Sequence, residues 1–462
     1  MAIANEPWHL PGMKILVVGA ARTGRAASRF LARRGAVVTL VDRSPEESFP
    51  GLRDELEPMG VHLKFGPHRE DSFCSAQGIV LSPGVPLELE PLREPRARGI
   101  PVVAEIELAS WFLDGPILAI TGTNGKTTTT TLVGMALKLW GRRVFVGGNL
   151  GNPLINALEL LPPPEMAVVE VSSFQLEAIQ RFKPRVAALL NVTEDHLDRH
   201  PDLHSYARAK ARIFENQGKG DVAVVNLDDP EALRALPPSP AMEVWGFSLG
   251  PADSAQAVWR GTAIQIRLPA GDMEVPCAGS GLSGPHGAQN LMAACLSVMA
   301  VGCPLESFLT AMRTFSGLEH RMERVGEIRG VRFINDSKAT NVGAVIPALE
   351  ACDRPVVLIA GGKYKGIDFT PLRDPVRRKA RAVVLLGEAA ERLAHALNGT
   401  VPLRRVRDMD DALAAALGLA EPGDVVLLSP ACSSFDQYRD YEERGNHFKE
   451  AFRRMAKGRG MG

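Results

Sequence analysis

Six cysteines in 462 residues, none of them spaced C-x-x-C, leave no disulfide framework and no thiolate zinc motif to read. Cys74, Cys277, Cys295, Cys303, Cys352 and Cys432 are scattered, so free thiols in a reducing compartment are expected. An excess of charge is lacking too. Lysine plus arginine number 53 and aspartate plus glutamate 53, a formal balance that supports neither a nucleic-acid partner nor an anionic membrane surface. The basic run Arg377, Arg378, Lys379 is expected to be a solvated helix face. No apolar run approaches the roughly 20 residues that a membrane-spanning helix needs. The opening residues hold Pro7, Trp8 and Pro11 but no apolar signal-peptide core, so a cytoplasmic location is expected. Repeats of solenoid type are absent. What remains is a chain 45% hydrophobic and 23% charged, the balance of a globular protein with real cores, and its length predicts about three domains.

The stretch 121–128, Thr-Gly-Thr-Asn-Gly-Lys-Thr-Thr, organises the rest. The apolar run 117–120 before it reads as a buried strand, and 127–139 after it as a helix. That is the context in which backbone N–H groups cradle phosphates at a helix N-terminus. Lys126 would reach the outer phosphates and the Thr127 hydroxyl would face magnesium. The pattern G-x-x-x-x-G-K-[ST] lacks its first glycine, where Ile120 stands. The bland reading is an ordinary strand-to-helix turn with Gly125 serving backbone geometry.

Ahead of that loop, residues 14–42 read as a β-α-β unit with glycines at 19 and 24, ending at Asp42, where a dinucleotide fold would place an acid on a ribose. Ala21 replaces the middle glycine, which weakens a nicotinamide reading. The helix start at Gly24 suits a diphosphate-bearing group. A further strand, 79–82, runs into a Pro-Gly loop, and this first domain is expected to close near residue 105.

Beyond the loop, a strand and glycine-rich turn occupy 144–153. The apolar strand 166–171 carries Glu170 and runs into Ser172 and Ser173, and such a carboxylate after a phosphate loop suits magnesium. The alternative is a strand-end glutamate facing water. His196, His200 and His204 are spaced as helical zinc ligands, but Pro201 interrupts the helix. On pattern alone Lys210, in a helix expected over 203–216, is a surface lysine. Asp228 and Asp229 should cap the helix after strand 220–226. Short β segments are expected over 240–280, and an apolar helix over 291–301. From about 317 a third domain follows: a hairpin over 324–334, a polar stretch 335–341 leading into a helix, and buried strands over 356–362, 382–387 and 424–430. Continuous apolar runs alternating with helices predict parallel sheets covered on both faces.

Five segments, in order, resemble the Mur ligases of peptidoglycan synthesis: 121–128, Glu-Val-Ser-Ser-Phe-Gln-Leu-Glu at 170–177, Asn-Val-Thr-Glu-Asp-His-Leu-Asp at 191–198, Asn-Asp-Ser-Lys-Ala-Thr-Asn at 335–341 and Leu-Ser-Pro-Ala-Cys-Ser-Ser at 428–434. The resemblance runs nearly end to end. Residues 174–177 and 335–341 favour the member that adds D-glutamate, and the Asp-Asn-Pro-x-Arg motif of diaminopimelate addition is absent. The resemblance implies a three-domain α/β ligase: a Rossmann-like UDP-binding domain over 1–105, a P-loop-type ATPase domain over 106–317 and a Rossmann-like amino-acid-binding domain over 318–462. ATP would lie between the central and C-terminal domains. It implies joining of D-glutamate to UDP-N-acetylmuramoyl-L-alanine through an acyl phosphate, with ATP and two magnesium ions, in a monomer.

The resemblance also implies site residues. Gly122, Thr123, Asn124, Gly125, Lys126, Thr127 and Thr128 would serve ATP, with Asn290, Arg321 and Asp336. Thr127 and Glu170 would hold one magnesium. His196 would hold a second, with a carbamate on Lys210. Arg22, Thr23, Asp42, Arg43, Ser82 and Gly84 would take the UDP part, and Asn149 and Ser172 the sugar-peptide part. Lys338, Thr340, Lys365, Ser434 and Tyr441 would hold D-glutamate. The chain departs from the family pattern at Gly287, Lys363, Tyr441 and the pair Arg43-Ser44. Rival readings are a Mur-type ligase for another amino acid, a folylpolyglutamate synthase, a non-catalytic nucleotide-binding regulator and a dehydrogenase.

Overall fold

The computed structural model describes residues 8–149, 151–195, 199–269, 271–282, 284–315 and 317–457. Three sheets follow one another along the chain, and their central strands are apolar because helices cover both faces. In the first sheet, β1 (Lys14–Val18), β2 (Val37–Asp42), β3 (His62–Phe65), β4 (Gly78–Leu81) and β5 (Val102–Ala104) run parallel in the order β3-β2-β1-β4-β5. The strand order reverses between β1 and β4, so the loops after those two strands open a crevice.

The second sheet contains β6 (Ile117–Thr121), β7 (Val144–Gly148), β8 (Met166–Glu170), β9 (Val186–Leu189), β10 (Val222–Asn226), β11 (Glu243–Ser248), β12 (Ala255–Trp259), β13 (Ala263–Leu268) and β14 (Gly271–Pro276). Their order is β14-β13-β12-β11-β10-β9-β6-β8-β7. Among the described residues its only antiparallel pairs are β12–β13 and β13–β14. All of β6 is buried. It lies between β8 and β9, where the winding changes direction, so the loop after it sits at a ligand-binding position of an open sheet.

The third sheet joins β15 (Glu323–Ile328), β16 (Val331–Asn335), β17 (Val356–Gly361), β18 (Ala380–Leu386), β19 (Leu403–Arg405) and β20 (Val425–Leu428) in the order β15-β16-β20-β17-β18-β19. The expected hairpin is β15–β16 and is the sheet's only antiparallel pair among the described residues. The edge strand β19 has no counterpart in the sequence reading, because its three residues, Leu-Arg-Arg, present no apolar run.

Packing groups the first two sheets into one compact unit, and the third sheet with 193–205 and 280–288 into another. Within the first unit a carboxylate and a guanidinium bind the sheets together. Glu107, on the helix Glu105–Ser110, is fully buried. It accepts N–H bonds from Gln180 (2.9 Å), Arg181 (2.8 Å), Phe182 (2.7 Å) and the Trp111 indole (2.7 Å). Arg29, on the helix Arg22–Arg33, donates to Glu55 (3.0 Å) on its own side, and to Glu159 (3.0 Å) and Asn156 (3.0 Å) on the other.

Local expectations shift in two places. The helix expected over 203–216 ends at Ala211 and tightens into a 3-10 turn, Arg212–Phe214. The apolar helix begins earlier, at Gly284, and ends at Met299. Asp229 caps the helix Pro230–Arg234 as expected, accepting from the Glu231 and Ala232 N–H groups. No helix of the described residues is long and apolar enough to cross a membrane.

Candidate active site

The loop between β6 and the helix Lys126–Leu139 is held open by its own hydrogen bonds. Asn191 fixes it from the end of β9: its carbonyl accepts the Thr123 N–H (2.9 Å), and its side chain brackets Asn124 by accepting N–H (2.8 Å) and donating to the carbonyl (3.1 Å). Gly125 has φ +86°, and a Cβ there would lie inside contact distance of the Asn290 Oδ1. The helix carries no acid in its first turn, which leaves its positive end open to an anion. Lys126 folds back onto the loop, donating to the carbonyls of Gly122 (2.9 Å) and Thr123 (2.7 Å). Thr128 is buried beneath it.

Glu170, at the end of β8, is 3% exposed. It accepts from the Thr127 hydroxyl (2.7 Å) through one oxygen and from the Asn149 amide (2.8 Å) through the other. This overturns the water-facing alternative. A buried carboxylate beside a hydroxyl is an oxygen donor set suited to a hard cation, so the residues fit magnesium.

Lys210 overturns its pattern-based reading. It is 1% exposed and donates to the Gly122 carbonyl (2.9 Å), with its ammonium 4.4 Å above the Tyr206 ring. The face bearing Tyr206, Ala207 and Lys210 packs inward, because small neighbours let the long side chain run beneath the loop. His196 lies outside the described residues. His200 is buried and His204 exposed, and no cluster of metal-ligating residues occurs among the described residues.

In the second unit, the ends of β16, β17 and β20 carry the polar residues. Asp336 is 1% exposed, accepting from the Ser429 hydroxyl (2.9 Å) and the Met322 N–H (3.2 Å). Burial pushes its carboxyl up to about 6, against the pull of the nearby Arg321 guanidinium. Arg321 stands between two non-glycine residues of left-handed backbone, His320 (φ 61°) and Met322 (φ 46°). Such strain is held only where surrounding contacts fix it. Lys338 lies 3.3 Å from the Tyr441 hydroxyl and 4.9 Å from its ring centre. Lys365 pairs with Asp195 at 3.8 Å, and Asn341 donates to the same carboxylate (2.8 Å). Ser434 is buried and Thr340 half-buried.

At the mouth of the first sheet, Asp42 accepts the N–H groups of Ala20 (2.8 Å) and Ser44 (2.8 Å), so this carboxylate organises the loop rather than projecting free. Ser82 donates to the Gly19 carbonyl (3.1 Å). Arg22, Arg43 and Gly84 are exposed and Thr23 is half-buried. Ser172 caps the helix Ser173–Glu177 in a reciprocal box with Gln175.

Residues 120–298 match the Mur ligase middle domain, 320–432 the Mur ligase glutamate ligase domain, and 13–104 the MurD-like N-terminal domain. The UDP-N-acetylmuramoylalanine--D-glutamate ligase of Geotalea uraniireducens is 45% identical over 98% of this chain and 100% of its own. The chain belongs to the Mur ligases. The protein of the same name from Geobacter metallireducens is 46% identical over 97% and 99%. Among solved structures, a pseudomurein peptide ligase type C from Methanothermus fervidus aligns at TM-score 0.61 and 18% identity, over 96% of this chain and 100% of that one. A UDP-N-acetylmuramate-alanine ligase from Thermotoga maritima aligns at TM-score 0.59 and 18% identity, over 96% and 100%. At that identity the likeness speaks for the Mur ligase fold.

Within this Mur ligase, Lys126, Thr127, Asn149, Glu170, Lys210 and Asn290 converge on the loop after β6. Lys338 with Tyr441, and Arg321 with Asp336, form groups at the third sheet. Three participants escaped the sequence reading: Asn191, Asp195 and Asn341. Each lies inside a segment that carried the resemblance, and that position was the available signal.

Proposed function

We propose that the chain is the D-glutamate-adding Mur ligase, joining D-glutamate to UDP-N-acetylmuramoyl-L-alanine with ATP and releasing ADP and phosphate. The observation that carries this reading is full-length identity of 45–46% with relatives bearing that name. A carboxylate resists amine attack until phosphorylation turns one oxygen into a leaving group. The γ-phosphoryl passes to the alanyl carboxylate, the D-glutamate amine attacks the acyl phosphate, and phosphate departs.

The chain's residues divide that work. Backbone N–H groups of 122–128 and the Lys126 ammonium hold the phosphates, with Lys126 leaving its loop carbonyls to do so. Thr127 and Glu170 would hold magnesium, which, when bound, screens the charge between the phosphates and the substrate carboxylate. His196 and a carbamate on Lys210 would hold a second ion, the carbamate replacing a cation by an anionic oxygen donor. Asn290, Arg321 and Asp336 position the nucleotide. Arg22, Thr23, Asp42, Arg43, Ser82 and Gly84 line the UDP site, with Asn149 and Ser172 toward the sugar-peptide part. Lys338, Thr340, Lys365, Ser434 and Tyr441 orient D-glutamate. The corresponding domains are 1–105, 106–317 and 318–462, and the enzyme works as a cytoplasmic monomer.

The test is phosphate release from ATP with magnesium and UDP-N-acetylmuramoyl-L-alanine, comparing D-glutamate, L-glutamate and L-lysine. Release with D-glutamate alone, with the ligated product seen by mass, is expected. Release with L-lysine instead would move the enzyme to a different amino acid, and no release with any would defeat the reading.

A further inference from the structure

Arg444 is 2% exposed and has no ion-pair partner among the described residues. Every hydrogen bond it makes there goes to a neutral oxygen. Nε donates to the Ser337 hydroxyl (3.0 Å) and Nη2 to the Ser337 carbonyl (2.9 Å). Nη1 donates to the carbonyls of Cys432 (3.1 Å) and Ser433 (3.2 Å). Buried charges are ordinarily matched by a carboxylate, because desolvation otherwise costs several kcal/mol. Here burial holds the guanidinium below its usual range, at about 10. Cys432, Asp436 and Tyr438 raise it again without forming an ion pair with it, and burial pushes the Cys432 thiol and the Tyr438 phenol up to about 12, so both stay neutral. Among them, Asp436 uses its carboxylate to accept the Glu388 N–H.

The acceptors explain the placement. Ser337 precedes Lys338, and Ser433 precedes Ser434. The Ser337 hydroxyl donates onward to the Tyr441 carbonyl (2.8 Å), which fixes the start of the helix Tyr441–Lys457. The Ser433 carbonyl also accepts the Lys363 N–H (2.9 Å), which ties in the loop leading to Lys365. Gly362, at φ +135°, lets that loop approach, since a Cβ there would stand 3.0 Å from Arg444 Nη1. One planar, multi-donor side chain thus gathers the four segments that bear Lys338, Lys365, Ser434 and Tyr441. A lysine has fewer donors and no fixed fork with which to do so.

We propose that Arg444 is the positioning residue of the amino-acid pocket, assembling its four segments and lending it a buried positive charge that awaits a dicarboxylate. The inference rests on the D-glutamate reading above. It is tested with the full-length enzyme carrying Arg444→Lys, Arg444→Met or Ser337→Ala, measuring KM for D-glutamate, for ATP and for the UDP substrate separately. Arg444→Lys is expected to raise KM for D-glutamate tenfold or more and to leave KM for ATP within twofold. Arg444→Met is expected to raise it further, the step from Lys to Met isolating the charge. Ser337→Ala removes one acceptor and is expected to raise the same KM about threefold, which keeps the test alive if Arg444→Met does not fold. A merely structural role would lower the active fraction, and so kcat, with all three KM values unmoved. That outcome, or an equal rise in every KM, overturns the inference. Wild-type enzyme that ignores D-glutamate overturns the functional reading as well, whereas wild-type turnover with an unmoved KM in Arg444→Lys overturns this inference alone.

Discussion

The helix behind the phosphate loop offers a controlled comparison, because a left-handed glycine stands at each end of it. Gly125 (φ +86°) precedes Lys126, and Gly141 (φ +84°) follows the last turn. An alanine at either position must adopt a left-handed backbone, at roughly 1–2 kcal/mol. Their surroundings differ. A Cβ at Gly141 meets nothing within 4 Å, whereas one at Gly125 would overlap the Asn290 Oδ1 and lie 3.1 Å from Asn290 Cγ and 3.2 Å from Leu190 Cδ1. Asn290 is 9% exposed and has little room to turn away, so overpacking adds about 1–3 kcal/mol or the loop itself moves. Gly141→Ala is therefore expected to lower Tm by about 1–3 °C, at roughly 1–2 °C per kcal/mol for a chain of this size, and to leave kcat/KM for ATP within twofold. Gly125→Ala is expected to lower Tm by about twice as much. It should also cut kcat/KM for ATP roughly 100-fold, the loss that follows when reacting groups are displaced by about 1 Å. Steady-state phosphate release and thermal melts of the two variants side by side decide the matter. Equal effects on ATP turnover, or a Gly125→Ala enzyme with wild-type kcat/KM, would refute the phosphate-cradle reading of this loop.

Three further substitutions probe separate links. Lys126→Ala should reduce kcat roughly 100-fold or more with an unchanged far-UV spectrum; full turnover would remove Lys126 from phosphate handling. Lys210→Arg keeps the charge but cannot form a carbamate, and a comparable loss of turnover in a folded protein is expected; a wild-type rate would leave Lys210 a structural role in holding the loop. Glu105 is a stability probe: burial pushes its carboxyl from 4.5 up to about 7, its one hydrogen-bond partner among the described residues being the Ile155 N–H. Because the folded state holds that proton more tightly than the unfolded chain, its contribution to stability is present below pH 4.5 and is lost as pH rises toward 7, by about 3 kcal/mol in all. Glu105→Gln should therefore be more stable than wild type at pH 8 and gain nothing at pH 4.5; a pH-independent difference in denaturation would be evidence against this.

Much of this was legible because local signals agreed. The β6 run, the glycines around it and the helix behind it marked the strand–loop–helix at 121–128 even with Ile120 in place of the first glycine. Asp229 followed by Pro230 announced a helix start. Lys210 was not legible: its helix mixes charge and small residues, and which face turns inward depends on the Gly122 carbonyl, 88 positions away. Asp195 meets Asn341 across 146 positions, and Arg444 meets Ser337 across 107. No periodicity encodes such pairings, and only the fold brings them together. The β19 edge failed for the opposite reason, since a three-residue strand that follows its neighbour's backbone needs little apolar character of its own.

The arginine contacts across the first unit bear on how such an enzyme can evolve. Arg29 and Arg33, from the helix Arg22–Arg33, both reach Glu159, and Arg29 also neutralises Glu55. A genetic crossover between β5 and β6 that brought in a foreign first sheet without these arginines would strand Glu159 with no cation, beside a helix it no longer matches. The first hundred residues are therefore not a free cassette. New ligand preferences at the first sheet should arise by single substitutions at the rim of β1, β2 and β4, with the arginine helix inherited together with its acidic partner.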